Sequence, residues 1–200
     1  MTSDSDSNSS RYFIGLMIPP GIREQLHVFA KTLWANVPDK QHYKASWSVP
    51  ADLHCTLVFI GQFSDEPYLA EQMAYVAHQV APATLTVSGK THWLGRNSLA
   101  LAATGAEQAG REFEQQLGRF SSDKQIGKRP FYGHVSLGRL RPVPNAANDH
   151  FAGQTIQPLS WNATHVQLVK GVESACGQRY RVVAEAPFKK LDDSSASSGA

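Results

Sequence analysis

Two strings, His54-Cys55-Thr56-Leu57 and His134-Val135-Ser136-Leu137, each set a histidine and a hydroxyl two residues apart inside an apolar run, eighty residues from one another. On a β-strand, residues i and i+2 point to the same face. Each string would therefore present one imidazole and one hydroxyl together. If the two strands lie side by side, or are related by a pseudo-two-fold, the four groups converge on one spot able to hold a phosphate between two imidazoles. With eight histidines in the chain, about one His-x-Ser/Thr arises by chance, so the setting has to carry the rest. Both hydroxyls are followed by leucine and both histidines sit in strand-like runs. His27, His42, His78, His92, His150 and His165 have no such setting.

Such a constellation suits phosphodiester chemistry. Breaking a phosphodiester with water needs a base for the water proton and an acid for the departing oxygen. Histidine, with an unperturbed pKa of about 6.5, serves both roles, and at pH 7 one imidazole is expected neutral and the other protonated in the field of the bound anion. Thr56 and Ser136 would hold the non-bridging oxygens through hydrogen bonds that tighten as charge builds there. The scheme calls for no metal and no cofactor.

Composition narrows the classes. The chain has 200 residues, 42% hydrophobic and 18% charged, with a net charge of +2, as expected of a globular domain with a real core. That charge is too small for a general duplex binder; a single-stranded end met at a local pocket fits better. Cys55 and Cys176 are in neither disulfide-framework nor zinc-ligand spacing, which points to a reduced, cytoplasmic setting. No apolar run reaches the roughly 18 residues of a membrane span. The ends, MTSDSDSNSS and LDDSSASSGA, read as tails, leaving residues 11–190 as the folded unit between tails 1–10 and 191–200. No Gly-x-Ser-x-Gly elbow, Walker loop or dinucleotide fingerprint occurs.

The elements that must position these residues alternate along the chain. Tyr12 to Ile18 reads as a buried strand, and Pro19-Pro20-Gly21 opens a helix with Ile22, Leu26, Phe29, Leu33 and Trp34 on one side. The strand of His54 follows a loop containing Trp47 and Pro50. A helix from about Pro67 to Val80 and short strands over Thr84–Val87, His92–Leu94 and Leu99–Ala102 come next. A third helix, about Ala106 to Phe120, and a polar loop lead into the strand of His134. Strands over Gln154–Leu159, Thr164–Val169 and Arg179–Ala186 close the chain. Two similar sets of elements, each with one His-x-Thr/Ser strand, indicate a duplicated unit forming two lobes around a cleft.

Asp52-Leu53-His54-Cys55-Thr56-Leu57-Val58-Phe59-Ile60-Gly61 resembles the first signature of the two-histidine phosphoesterases, and Lys128 through Arg139 resembles the second. Within that superfamily the sequence is most similar to the bacterial RNA 2′,3′-cyclic phosphodiesterases, also called 2′-5′ RNA ligases. Arg11 through Leu16 with Pro19, Trp47 through Leu53, and Gly177-Gln178-Arg179-Tyr180 with Pro187-Phe188 agree as well. The chain departs from the pattern at Cys55, where an apolar residue is usual, at Ser136, where threonine is commoner, and at Gly133, where proline is common.

The resemblance implies an α+β fold of two pseudo-symmetric lobes, each a small, mostly antiparallel sheet backed by helices, with a central cleft. It also implies that His54 is the proton donor to the leaving 3′ oxygen and His134 the acceptor from water, giving a 2′-phosphate. Ligation to a 5′-hydroxyl would be the reverse reaction. Arg139 would lie in the site, to clamp phosphate or stack on a base, and Phe13 is a candidate stacking face for the terminal base. The implied partners are single-stranded RNA ends or nucleotides with a 2′,3′-cyclic phosphate, met by a monomer without a membrane. Two rivals share these motifs: a nucleotide-binding module of the same fold without turnover, and a phosphodiesterase for 2′-5′-linked oligonucleotides.

Overall fold

The computed structural model describes residues 10–38, 40–144, 149–172 and 177–190; residues 1–9 and 191–200, read as tails, and Cys176 lie outside them. Strand β1 (Ser10–Met17) leads through Pro19 into helix α1 (Pro20–Ala35), whose N-terminal proline has no hydrogen bond to lose there and which buries Leu26, Ala30 and Leu33. Then come β2 (Lys44–Trp47), β3 (His54–Phe63) and α2 (Glu66–Ala77). The Asp65 carboxylate caps α2 by accepting from the Tyr68 amide at 3.0 Å. The remainder is β4 (Ala83–Leu94), β5 (Ser98–Thr104), α3 (Glu107–Leu117), β6 (His134–Arg141), β7 (Thr155–Ala163), β8 (His165–Gly171) and β9 (Tyr180–Pro187).

All the strands join one curled antiparallel sheet in the order β7-β4-β5-β6-β3-β1-β8-β9, with β2 added onto β6. The order is a palindrome of roles about the β6/β3 seam, four strands to each lobe. Register makes the symmetry quantitative. β1 pairs with β3 through Met17↔His54, Leu16↔Cys55, Gly15↔Thr56, Ile14↔Val58 and Phe13↔Phe59. β5 pairs with β6 through Ala102↔His134, Leu101↔Val135, Ala100↔Ser136, Leu99↔Gly138 and Ser98↔Arg139. Each pair becomes the other on adding 85 to the first number and 80 to the second, including the bulge that skips Leu57 in one and Leu137 in the other.

Helices cover one face of the sheet, α3 lying on β3 and α2 on β8 and β9. Beneath them Leu57, Leu69, Met73, Phe113 and Val135 are all but fully buried. The other face carries no helix and curls into a cleft. The structure is thus the α+β, two-lobed arrangement implied above, with two differences of detail. The strands read as Thr84–Val87 and His92–Leu94 are one strand, β4, because a bulge around Gly89 at φ 81° takes up the polar stretch Ser88–Lys90 without leaving the sheet. The stretch up to Trp47, read as loop, also ends in a strand, β2, added onto β6; β3 and β6, which carry the two strings, lie side by side at the seam.

Candidate active site

The seam between β3 and β6 is pinned by Cys55↔Val135, both with 0% exposure on the helix side. Alternation then puts His54, Thr56, His134 and Ser136 on the open face. The antiparallel register sets His54 across from Ser136 and Thr56 across from His134. Each imidazole thus faces the hydroxyl of the other strand, at the floor of a cleft of about 820 Å³. All six predicted site residues, His54, Thr56, His134, Ser136, Arg139 and Phe13, line it.

Both imidazoles are held in the same way. His54 Nδ1–H donates to the Asp52 carbonyl at 2.6 Å, and His134 Nδ1–H donates to the Tyr132 carbonyl at 3.1 Å, in each case the residue two positions back. That bond fixes the tautomer and turns Nε2, an acceptor when the ring is neutral, away from the backbone. Burial pulls the pKa of His54 down to about 4, opposed by its bond to the Asp52 carbonyl and reinforced by the charges of His134 and Arg179. His134 is also lowered, by burial first, with the Tyr132 carbonyl opposing and His92 and Arg129 adding to the effect. At pH 7 the protein's own groups therefore hold both rings neutral, not one charged and one neutral; burial costs the cation more than the backbone carbonyls return.

The surroundings of the two differ. Phe13 stacks on His54 with centroids 4.3 Å apart, and Tyr180 closes the side edge-on at 5.2 Å. Asp52, 2% exposed, accepts from the Arg179 amide at 2.8 Å and the Tyr180 amide at 3.2 Å, and its carboxylate lies 3.7 Å from Arg179 Nε. Arg179 Nη2 donates to Ser48 Oγ at 3.0 Å, and the Ser48 hydroxyl donates to the Ser136 carbonyl at 3.1 Å. Asp52 thus orients His54 through its carbonyl and holds Arg179 through its carboxylate, and it is Arg179, by way of Ser48, that reaches across to β6. On the other side Tyr132, 52% exposed, lies parallel to His134 at 6.1 Å and shares a hydrogen bond with His92 Nε2 at 3.1 Å. The Ser98 hydroxyl donates to Ser136 Oγ at 3.2 Å.

Phe13 is only 4% exposed and one of its faces is taken by the His54 ring, so its visible contact is with the imidazole. The exposed aromatic on that wall is Phe59, 45% exposed. Simple alternation from Thr56 would have put Val58 there; the bulge at Leu57 shifts the phase by one and presents Phe59 instead. The matching bulge at Leu137 presents Arg139. Cys55 is fully buried, its thiol pushed by burial up to about 12, and is packing, not a nucleophile. Reading the sequence missed Asp52, Arg179, Tyr180, Ser48, Ser98 and Phe59 as site residues. Arg179 and Tyr180 fall in the closing stretch that resembles the family, but the sequence separation of 127 between Asp52 and Arg179 hides their contact.

No family model matches the sequence and no curated protein matches it. Solved structures do. The structure of TT0787 from Thermus thermophilus superposes with a TM-score of 0.66 at 21% identity, covering 90% of this chain and 98% of that one. Escherichia coli LigT in its apo form gives 0.64 at 23%, covering 92% and 100%. The fold is that of LigT. A structure described as a phosphoesterase agrees, at 0.65 and 23% over 91% and 99%. LigT has been crystallised with 3′-AMP, with phosphate and with ATP. In this chain the curled sheet forms two lobes around a central cleft, and the paired His-x-Thr/Ser strands lie at the floor of that cleft. Among the described residues no group of three or more His, Cys, Asp or Glu side chains is placed to hold a metal ion, and no helix is long and apolar enough to cross a membrane.

Proposed function

We propose that the chain is an RNA 2′,3′-cyclic phosphodiesterase, its catalytic unit residues 11–190, opening terminal cyclic phosphates to 2′-phosphates. One observation carries the reading: two imidazoles, each with Nδ1–H tied to the carbonyl two residues back, share one cleft floor with a hydroxyl beside each. The likeness to LigT supports it, since nucleotides and phosphate occupy that protein in its crystals.

In this mechanism the cyclic phosphate sits between the histidines, with its non-bridging oxygens on Thr56 and Ser136. His134 Nε2 takes a proton from water as the water oxygen bonds to phosphorus. His54 Nε2–H protonates O3′ as the P–O3′ bond breaks, leaving a 2′-phosphate and a free 3′-hydroxyl. His54 must then be charged by the substrate itself: the phosphodiester anion supplies a field that the surrounding side chains do not, and the proton is taken up on binding. Charged in this way, the His54 imidazolium gives up its proton as negative charge builds on the leaving O3′. The Ser98 hydroxyl steadies Ser136, and the Asp52–Arg179 pair fixes the His54 wall. The reverse reaction, joining a cyclic phosphate to a 5′-hydroxyl, uses the same groups.

The test is turnover of a nucleoside 2′,3′-cyclic phosphate by the purified protein, with chelator present, across pH 5 to 9, with the product isomer identified. A metal-independent 2′-phosphate with a bell-shaped profile is expected. Nucleotide binding without product would move the chain to a binding module; product only from 2′-5′-linked dinucleotides would move it to the sister activity.

A further inference from the structure

We infer that the chain's substrate is an RNA strand of several nucleotides whose backbone runs along a basic ladder formed by β2 and β6, with Arg139, Arg141 and Lys44 holding the phosphates that precede the cyclic end. The inference rests on the phosphodiesterase reading above. It adds where the rest of the substrate lies.

The ladder begins at the catalytic hydroxyl. After the bulge at Leu137, Arg139 and Arg141 share the open face with His134 and Ser136. β2 pairs with β6 so that Ser46 lies across from Arg139 and Lys44 across from Arg141, and directly opposed residues project to the same face. Lys44, Ser46, Arg139 and Arg141 are all exposed. Two features make this more than a solvated rim. Lys44 and Arg141 are like charges placed directly opposite, an arrangement that costs stability on a sheet. None of Lys44, Arg139 and Arg141 has a carboxylate within ion-pair distance among the described residues. A polyanion lying across them would remove that cost.

Symmetry isolates the feature. β2 has no counterpart in the other lobe among the described residues. There the positions that follow Thr56 on the open face are Phe59 and Gln62, with Arg11 across from Gln62. Thus, of the two described strands that carry a histidine and a hydroxyl, β6 has successive cations in line with the phosphate site and β3 has none. Their spacing is about 6.8 Å for residues two apart on a strand, comparable to the separation of successive phosphates in an extended single strand. Arg139, at the cleft, would meet the first phosphate before the cyclic end, and Arg141 with Lys44 the second.

The experiment compares a mononucleoside 2′,3′-cyclic phosphate with di-, tri- and tetranucleotides of one sequence ending in the cyclic phosphate, for the wild-type protein and for K44A/R141A and K44E/R141E. KM is expected to fall by about tenfold from mono- to trinucleotide in the wild type and to flatten in the neutralised variant, with charge reversal worse still. Turnover of the mononucleotide, which has no preceding phosphate, should stay the same in all three, which also shows that the variants are folded. In single-strand binding the slope of log K against log salt is about 0.7 per phosphate contact, so removing Lys44 and Arg141, which share the second phosphate, should lower it by about 0.7 for the trinucleotide. A KM independent of length, or a length dependence that survives K44E/R141E, would overturn the ladder while leaving the phosphodiesterase reading intact. Absence of turnover on every substrate would instead overturn that reading, and the ladder with it.

Discussion

The two halves of the cleft share one backbone and differ in what surrounds the histidine. Residue for residue, β1/β3 and β5/β6 correspond by constant offsets, and both imidazoles are tied to the carbonyl two residues back. Yet His54 is sealed under Phe13 and Tyr180, whereas His134 lies beside a half-open Tyr132. At the position one strand over, Phe13 of one half becomes Ser98 of the other: an aromatic lid in one case, a hydrogen-bond donor to the Ser136 hydroxyl in the other. A duplicated scaffold supplies two imidazoles held alike; single side chains around them make their surroundings different.

The largest test of that comparison is to remove each ring in turn. His54→Ala and His134→Ala should each lower kcat by about 10² to 10⁴, and the two should leave opposite limbs of the pH profile, the acidic limb surviving in one and the basic limb in the other. Identical profiles would mean that the halves do the same job. Asp52→Ala should destabilise the fold by about 2 kcal/mol, since it removes a buried carboxylate that accepts from the half-buried amides of Arg179 and Tyr180. Its counterpart Tyr132→Ala should cost under about 1 kcal/mol because that ring is half exposed; urea unfolding of the pair decides it.

The pH dependence of stability sharpens the comparison further. The unfolded chain protonates His54 near 6.5 while the folded chain resists until about 4, so stability is full above 6.5 and is lost as the pH falls toward 4. At about 1.4 kcal/mol per unit the loss reaches roughly 3 kcal/mol. His54→Gln should flatten this slope in urea titrations at pH 7, 5.5 and 4.5, and His134→Gln should flatten it less. The smallest effect is expected at Ser98→Ala, which removes a neutral hydrogen bond to Ser136 worth about 1 kcal/mol. It should lower kcat by roughly fivefold, with KM for the cyclic phosphate nearly unchanged.

What the sequence made legible is what period and type encode. The strands around His54 and His134, the pairing of imidazole with hydroxyl, and the inward packing of Cys55 all follow from a two-residue repeat in an apolar run. The bulges broke that arithmetic: they reset the phase after Thr56 and Ser136, so Phe59 could not be placed by counting. Arg139 was placed only by family resemblance. Asp52 was invisible for another reason. The residue at its place in the second string is Tyr132, so the repeat gave no hint of a carboxylate, and its partners lie at the far end of the chain. β2, four residues long and polar on alternate positions, read as loop because it is held by β6 and not by its own hydrophobicity. At Gly133 the structure supplies a reason that spacing does not: an added Cβ would collide with the Ala103 carbonyl oxygen, so β5 approaches too closely for any side chain there.

The seam also carries its own clock. Cys55 sits where the two lobes meet, fully buried and with its thiol held protonated at neutral pH. The sulfur faces the helices, so an alkylating reagent reaches it only when the helical layer lifts off β3, and in a chain with Cys176→Ser the labelling rate counts how often the core opens there. A nucleotide bound on the opposite face would slow that clock by the factor with which it stabilises the folded form over the opened one.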